Sequence, residues 1–384
     1  MKKLGFGMMR LPKSDKDDET SIIQEEVDKM ADLFLEKGFT YFDTAYVYHD
    51  GKSEGAFKKA VADKHPHEDY QIADKLPIFA IKKAEEMEPI FQEELERLGV
   101  DYIDYFLIHN VSGFSDHALK NTDPFKFGVE KKAEGKVKHV GFSSHADAKY
   151  IEDVIKQHPD MDFIQLQINY LDWENDAIQS KECYEVACKY NLPVIVMEPL
   201  KGGFLANVPK EAEKLMRDYN GQSPVEWAFR FLISLDNVMM VLSGASSYEQ
   251  LKENIEIFED IKPLNDEELE ILRKVREIIN ANIAIDCTGC NYCLSSCPQN
   301  ILIPKLFNMY NEDMIQNPGP TEFTAVGNAY VNYAKEAKHG LASDCIDCQA
   351  CIPKCPQHIN IPEELVKVKD HFETPLYGFN QQEE

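Results

Sequence analysis

Phe39-Thr-Tyr-Phe-Asp43-Thr-Ala-Tyr-Val-Tyr48 reads as a short strand that runs directly into a carboxylate and, five residues later, a phenol. Tyr41 and Phe42 are strand formers, so polar chemistry begins where the strand ends. Two later segments repeat the pattern. Lys75 follows the apolar pair Ile72-Ala73, and His109 follows the apolar run from Ile103 to Ile108. Aspartate, tyrosine, lysine and histidine thus stand at three successive strand ends. In a closed parallel barrel of alternating strands and helices, side chains from several strands converge on that face.

The alternation continues along the chain. Leu4-Gly-Phe-Gly-Met-Met reads as a first strand, and further strands are expected at 70–73, 103–108, 137–142, 163–168, 193–197 and 238–242. Residues 20–37 carry Ile23, Val27, Met30, Ala31 and Phe34 at helical spacing, with Gly38 placed to end the helix. Helices are also expected over 84–98, 147–158, 180–190 and 224–234. Eight strand–helix alternations point to an α/β fold of the (β/α)8, or TIM-barrel, kind. A doubly wound open sheet is the rival, but it would show a Gly-rich phosphate turn after its first strand, and Gly5-Phe-Gly-Met-Met-Arg10 is not that pattern. Pro263 marks a break, and a charged helix over 266–280 leads out of the barrel.

A chain of 384 residues is long for one core, and length alone suggests two or three domains. Acidic residues number 67 against 41 basic ones, for a formal charge of -26. No cluster of lysine and arginine offers a face to phosphates, so nucleic acid and anionic membranes are not expected partners. The acid excess serves solubility. After Lys2 and Lys3 the apolar stretch is interrupted by Arg10 and Pro12, too early for a signal peptide, and no apolar run reaches membrane-spanning length. A cytoplasmic protein is expected.

Of the ten cysteines, Cys183 and Cys188 stand in a helical stretch and read as small buried apolar residues. The other eight form two runs, Cys287-Thr-Gly-Cys290-Asn-Tyr-Cys293-Leu-Ser-Ser-Cys297-Pro298 and Cys345-Ile-Asp-Cys348-Gln-Ala-Cys351-Ile-Pro-Lys-Cys355-Pro356. Both have the C-x2-C-x2-C-x3-C-P spacing of bacterial 4Fe–4S ferredoxins. Tight turns let three thiolates cap one face of a cubane, while the fourth lies too far round and goes to the other cluster. Cys287, Cys290, Cys293 and Cys355 are therefore assigned to one 4Fe–4S cluster, and Cys345, Cys348, Cys351 and Cys297 to a second. Paired zinc sites are the competing reading, but tetrahedral zinc usually takes two C-x2-C pairs rather than four cysteines in one run with a terminal proline. The 47 residues from Pro298 to Asp344 contain two helical patterns around Pro318-Gly319-Pro320. The region resembles the ferredoxin modules of redox enzymes, in their α-helical form. A mainly α-helical ferredoxin-like domain is thus expected over 283–368, after a connecting helix at 263–282, with a loosely held tail over 369–384 that ends Asn380-Gln-Gln-Glu-Glu.

Hydride reduction of a carbonyl leaves an alkoxide, and the site then needs a proton donor beside the oxygen. A phenol with an ordinary pKa of about 10 serves poorly near neutrality unless a cation lowers it. Lys75 is the cation expected to do so for Tyr48. Asp43 would hold the lysine in an ion pair, and His109 would hydrogen-bond the substrate oxygen. One histidine after a strand is more often structural, but four such residues at the right strand ends make a constellation.

The stretches around them resemble the aldo-keto reductase family. The resemblance rests on Phe42-Asp43-Thr-Ala-Tyr-Val-Tyr48 with Gly51-Lys-Ser53-Glu54, then Asp74-Lys75-Leu76-Pro77, Leu98-Gly-Val-Asp101-Tyr-Ile-Asp104-Tyr-Phe-Leu-Ile-His109, and Gly135-Lys-Val-Lys-His-Val-Gly141-Phe-Ser143-Ser144. It implies a barrel over 1–262 with Asp43, Tyr48, Lys75 and His109 as catalytic residues. It further implies nicotinamide contacts at Ser143, Ser144 and Gln165. Met197 stands where the family often has an aromatic ring. Pro199, Leu200 and Gly202 fall in the loop over the pyrophosphate, Glu198-Pro199-Leu200-Lys201-Gly202-Gly203, and Gly244, Ser246, Gln250 and Asn254 fall at the adenosine end. Members that prefer NADPH commonly place a lysine and an arginine where this chain has Gly244 and Gln250, so NADH is as consistent as NADPH. A helix N-terminus with Ser246 and Ser247 offers another anion site.

A nicotinamide gives up two electrons as hydride, whereas an iron–sulfur cluster carries one at a time. Four readings follow. The barrel interconverts a carbonyl and an alcohol while the clusters exchange electrons with a ferredoxin or other carrier; the barrel is a conventional NAD(P)H reductase with structural clusters; a flavin occupies the barrel site; or the chain is a non-catalytic nucleotide- and redox-sensing subunit. Met8, Met9, Asn110 and the loop over 111–127 are expected to line the pocket for a small carbonyl or alcohol.

Overall fold

The structure, a computed structural model, describes residues 2–15, 18–176, 178–281, 283–316, 324–336 and 338–379. The Pro318-Gly319-Pro320 break and residues 380–384 lie outside the described residues, whereas the earlier part of the tail expected over 369–384 is ordered, with a helix running to Phe372 and with Phe372 and Tyr377 buried. The chain forms two compact units. The first comprises Met1–Leu200 and Val225–Asn265, and the second Lys201–Pro224 and Asp266–Glu384. The expectation of an uninterrupted barrel over 1–262 thus differs from the observed division at Lys201–Pro224, and the helix expected as a connector belongs to the second unit.

In the first unit eight parallel strands close a barrel in sequence order: β1 (Leu4–Gly7), β2 (Tyr41–Asp43), β3 (Gln71–Leu76), β4 (Ile103–Ile108), β5 (Val137–Ser144), β6 (Phe163–Gln167), β7 (Val194–Met197) and β8 (Val238–Ser243). Helices α1 (Gln24–Glu36), α2 (Ser53–Phe57), α3 (Met87–Leu98), α4 (Asp116–Thr122), α5 (Pro124–Ala133), α6 (Ala148–Gln157) and α7 (Ser180–Lys189) follow the strands. After α8 (Lys210–Asn220), which lies in the second unit, the barrel resumes with α9 (Pro224–Ile233) and α10 (Tyr248–Glu259).

Several expected boundaries move, each for a local reason. The first strand stops at Gly7, and Met8–Arg10 makes a 3-10 turn. The helix expected from residue 20 starts at Gln24, because Lys13 and Ile22 pair in an antiparallel bridge and Ser21 is held by Asp15 and Asp18. Residues 84–86 are 3-10 rather than α. The expected pocket loop over 111–127 contains α4 and the start of α5, where Asp123 accepts from the Lys126 N–H and Pro124 takes the first helical turn.

Strand parity decides what fills the barrel. Tyr41, Ala73, Tyr105, Leu107, Phe163, Ile195, Met240 and Leu242 pack together as its interior cluster. The opposite parity faces the helices, where Phe6, Phe34, Phe42 and Phe57 form a chain of ring contacts at 5.3–5.9 Å. The lower end, where the strands begin, is tied by Asp104, which accepts from the Ile72 N–H at 3.0 Å and from Lys138 at 2.9 Å, and pairs with His67 at 2.9 Å. Among the barrel's glycines, Gly99 closes α3 in the left-handed region at φ 70°.

One polar group sits badly in this packing. Glu54, Asp74 and Glu94 are wholly buried between β3 and its flanking helices; Arg97 donates to Glu54 at 2.9 Å, and Asp74 accepts from the Lys75 N–H at 2.9 Å. Among the described residues neither carboxyl oxygen of Glu94 meets a hydrogen-bond partner. Burial first, and then the charges of Asp74 and Glu54, hold its carboxyl well above the usual range.

The second unit adds α11 (Asp266–Asn280), α12 (Ile303–Gln316), α13 (Ala325–Glu336) and α14 (Ile361–Phe372) to α8. Its core is its own, built from Ile285, Ile301, Leu306, Phe307, Tyr330, Leu365 and Phe372, with the Tyr330 and Phe372 rings stacked at 4.7 Å. Cys293 and Cys351 are buried in that same core.

A carboxyl whose folded pKa exceeds its unfolded value weakens the fold as pH rises from the unfolded value toward the folded one. Glu94→Gln removes that loss. The variant, whose amide has no charged form to suppress, is expected to gain stability relative to the wild type, and to gain more at pH 8 than at pH 5. Thermal melts at the two pH values check this, and an equal shift at both, or a loss at the higher one, would contradict it.

Candidate active site

The parity that fills the barrel also aims its upper rim. Asp43 lies two residues beyond Tyr41, Lys75 two beyond Ala73, His109 two beyond Leu107, Gln165 two beyond Phe163 and Met197 two beyond Ile195. Each therefore continues an inward-facing row at the end of its strand. Tyr48 reaches the same place from the turn after β2. The turn is pinned by His49, whose Nε2 accepts from the Leu11 N–H at 3.2 Å, so that its Nδ1–H donates to the Glu19 carbonyl at 2.9 Å. His49 and Asp50 are held at φ 52° and 51°, and Asn110 and Glu198 at 56° and 55°, so non-glycine residues in the left-handed region follow Tyr48, His109 and Met197. Such conformations cost energy and persist only where surroundings impose them.

The four rim residues converge. Lys75 has no exposed surface, and its Nζ donates to Asp43 Oδ1 at 2.5 Å and to the Thr44 carbonyl at 2.6 Å. The same ammonium lies 4.9 Å from the centre of the Tyr48 ring. The Tyr48 and His109 rings meet edge to face at 6.0 Å, and Phe79 approaches His109 from another side at 5.5 Å. Gln165 donates to Asp43 Oδ2 at 3.1 Å, which occupies the second carboxylate oxygen.

Burial, then the positive charges of Lys75 and His145, lower His109 well below the usual imidazole value, so the ring is neutral near neutrality. Among the described residues its Nδ1 meets no hydrogen-bond partner. Burial raises Asp43, against the opposing pull of Lys75 and Gln165. Tyr48 departs from expectation. Burial, followed by the negative charges of Asp43, Asp74 and Glu198, holds its phenol well above the usual 10, with Arg10 pulling the other way. The lysine expected to acidify it is instead committed to Asp43 and Thr44.

The residues expected around a nucleotide are partly tied to backbone. Ser143 Oγ accepts from the Asn110 N–H at 2.9 Å, and Ser144 Oγ donates to the Val111 carbonyl at 2.7 Å, so both fix the loop that carries His109. Asn254 donates to Ser243 Oγ at 2.7 Å, joining α10 to the end of β8. Gln250 bends back to accept from the Ser246 N–H at 2.8 Å, which caps the helix start. Gly244 faces the stem of Arg10 at 3.6–3.7 Å from where a Cβ would stand. Met197 is half-buried at the end of β7, with Pro199 buried just beyond it and Leu200 half-buried. Gly202 falls in the second unit, with its α-carbon against the Thr288 carbonyl.

Sequence reasoning passed over Arg10 and His145. His145 Nδ1 meets Gln167 Oε1 at 3.0 Å, and Gln167 donates in turn to Asp172 at 3.2 Å. His145 directly follows the Ser143-Ser144 pair, and that adjacency was the available signal. The open cleft lined by His65, His67, Tyr70, Glu96, Asp101 and Lys136 lies where strands begin and contains none of the expected site residues.

In the second unit the cysteines separate into two cavities. One is lined by Cys287, Cys290, Cys293 and Cys355, with Thr288, Ile303 and Gln357. The other is lined by Cys297, Cys345, Cys348 and Cys351, with Gln299, Ile346 and Leu365. Each set takes three thiols from one run and the fourth from the other. Among the described residues no three His, Cys, Asp or Glu side chains stand close enough to hold a single metal ion. Four thiols spaced around a cavity suit a multi-atom cluster better than a lone zinc. Cys183 is buried and donates to the Ala146 carbonyl at 3.6 Å, and Cys188 is half-buried. No described helix is long and apolar enough to cross a membrane.

Comparison with known proteins agrees with this geometry. Residues 3–277 match the model of the Aldo/keto reductase family, and residues 286–360 match that of the 4Fe-4S dicluster domain. An aldo-keto reductase of Mycobacterium sp. (strain MCS) is 27% identical over 255 residues, covering 66% of this chain and 83% of the relative. One from Mycobacterium avium (strain 104) is 26% identical over 287 residues, covering 73% and 89%. Among solved structures, the holo form of an aldo-keto reductase from Bacillus halodurans superposes with a TM-score of 0.57 at 25% identity, covering 71% of this chain and 91% of that one. An aldo-keto reductase from Klebsiella pneumoniae in complex with NADPH shares the fold, with a TM-score of 0.56 at 19% identity over 71% and 90% of the two chains. This chain is an oxidoreductase that belongs to the aldo/keto reductase family and carries a 4Fe–4S dicluster domain after its barrel.

Proposed function

We propose that the chain interconverts a small carbonyl compound and its alcohol using NADH or NADPH, with Tyr48 as general acid and base, and that two 4Fe–4S clusters exchange electrons with a separate carrier. The observation that carries the first part is the convergence of buried Asp43, Lys75 and His109 with half-buried Tyr48 at the barrel rim. When bound, a reduced nicotinamide supplies hydride, and the clusters supply single-electron storage.

The chain's own residues then have separable tasks. Tyr48 stays protonated through the neutral range and delivers its proton to the oxygen of the reduced carbonyl. Neutral His109 holds that oxygen by a hydrogen bond and fixes the direction of attack. Lys75, locked by Asp43 and Thr44, places a positive charge beside the phenol ring and stabilises negative charge as it develops on the oxygen or the phenolate. Gln165, bound to Asp43, keeps the ion pair in register with β6. The stem of Arg10 lies beside Gly244, so its guanidinium is the cation nearest in the fold to the positions where this chain has Gly244 and Gln250 in place of the family's lysine and arginine, and it would be the group to meet a nucleotide phosphate.

The cysteine sets favour two clusters: Cys287, Cys290, Cys293 and Cys355 for one, and Cys345, Cys348, Cys351 and Cys297 for the other. Electron exchange with a carrier is supported at the second, where Cys348 is exposed and Ile346 is 60% exposed. The burial of Cys293 and Cys351 in the helical core favours a structural contribution from both clusters as well. Eight thiols kept reduced for ligation suit the cytoplasm.

Two outcomes are expected. Tyr48→Phe should lower carbonyl-dependent nucleotide oxidation about 10²–10⁴-fold across a panel of aldehydes and ketones, the range of a lost general acid. An unchanged rate would leave only a nucleotide-binding role for the barrel. For the wild type, kcat/KM for reduction should be flat from roughly pH 6.5 to roughly pH 10, because the phenol is raised above its ordinary value and His109 is lowered below its own. Alcohol oxidation should instead climb with pH across that range. An alkaline loss of reduction well below the ordinary phenol value would contradict the assignment.

A further inference from the structure

The two cysteine runs are alike beyond their cysteines. Each is preceded by aspartate and followed by Pro-Gln: Asp286 before Cys287 with Pro298-Gln299 after Cys297, and Asp344 before Cys345 with Pro356-Gln357 after Cys355. Because each cavity takes its fourth thiol from the other run, Asp286 and Gln357 flank one cavity and Asp344 and Gln299 flank the other. A symmetric motif would give the two sites equal support.

Lys201 breaks that symmetry. Only 2% exposed, it sends its ammonium to Asp286, at 2.9 Å from Oδ1 and 3.0 Å from Oδ2, and to Gln357 Oε1 at 3.0 Å. It thereby links the residue before Cys287 to the residue two beyond Cys355, the first and last thiols of one cavity. Gln357 and Thr288 both line that cavity. At the other site Asp344 turns to the Leu341 N–H at 2.7 Å instead.

The backbone beside Lys201 is shaped to the same end. Lys201 itself is held at φ 46°, and Gly202 follows at φ 67°. A Cβ on Gly202 would stand 2.1 Å from the Thr288 carbonyl oxygen, so only glycine lets the turn press against the cysteine segment. A buried ammonium without partners is costly, so the pair with Asp286 holds the turn and the segment to one arrangement.

We propose that Lys201 is a positioning residue that locks Cys287 and Cys355 into one ligand set, so that the cluster they hold is retained more firmly than its twin. The proposal rests on the two-cluster reading. Residues that orient metal ligands from outside typically change metal retention about 10–100-fold when replaced. Iron release from the anaerobically isolated full chain into a chelator tests it, together with paramagnetic resonance of the reduced protein. Lys201→Met should release about half of the iron about 10–100-fold faster, the other half leaving at the wild-type rate, after which one cluster signal remains. Asp286→Asn, which keeps shape, should do the same if the lysine variant does not fold, and Lys201→Arg should restore wild-type release. Asp344→Asn should not reproduce the selective loss. A wild-type curve for Lys201→Met, or one accelerated phase for all the iron, would overturn the proposal. A wild-type chain with iron for fewer than two clusters would overturn the two-cluster reading first, and the proposal with it.

Discussion

A lysine with no exposed surface, set among tyrosine, leucine and phenylalanine inside a closed barrel, is tolerable only if its charge is met. Asp43 and the Thr44 carbonyl meet it, at 2.5 and 2.6 Å. The arrangement at the rim follows from that requirement. Asp43 must end β2, Lys75 must sit near the end of β3, and Gln165 must come from β6 to satisfy the remaining carboxylate oxygen. With the ion pair fixed, the ammonium can stand beside the Tyr48 ring while the ring stands beside His109. Breaking the pair by removing one partner would leave an uncompensated charge inside the barrel, which is far more damaging than losing a surface pair.

The barrel and its rim were legible because both depend on the period-two rule of strands. Apolar residues at Tyr41, Ala73 and Leu107 mark an inward row, and any polar residue two positions later inherits its direction. The cysteine partition was legible for a similar reason, since the spacing within each run limits which thiols can reach one cluster. What spacing does not carry is the balance of electrostatics. From sequence, Lys75 reads as the group that acidifies Tyr48. In the folded chain burial and three carboxylates, Asp43, Asp74 and Glu198, raise the phenol, and the opposing charge is that of Arg10. Asp74 exerts this influence from the far side of its strand, where alternation places it with Glu54 and Glu94. Arg10 and His145 escaped notice because each is a single residue whose neighbours are supplied by distant strands.

The second unit shows the same limit in another form. Residues 201–224 fall inside the span expected to be barrel, between the strand expected at 193–197 and the helix expected at 224–234, yet they belong with the helical unit. There α8 packs against α11, and Lys201 reaches partners 85 and 156 residues away. No local pattern encodes such contacts. The two otherwise similar cysteine sets have different surroundings, one clasped by a buried lysine paired with Asp286 and the other reaching the surface at Cys348 and Ile346.

Hydride chemistry in the barrel and single-electron chemistry in the helical unit are distinguishable by the fate of one hydrogen. The most direct test supplies the anaerobically isolated protein with nicotinamide nucleotide carrying deuterium at its hydride position, together with a carbonyl substrate, and follows the label in the alcohol by mass spectrometry. A carbonyl-reducing site built on Tyr48, Lys75, Asp43 and His109 puts one deuterium on the former carbonyl carbon of each product molecule. Oxidation of the nucleotide with unlabelled alcohol, while the clusters become reduced, would mean that electrons leave the barrel singly and that these four residues do not direct hydride to a carbonyl.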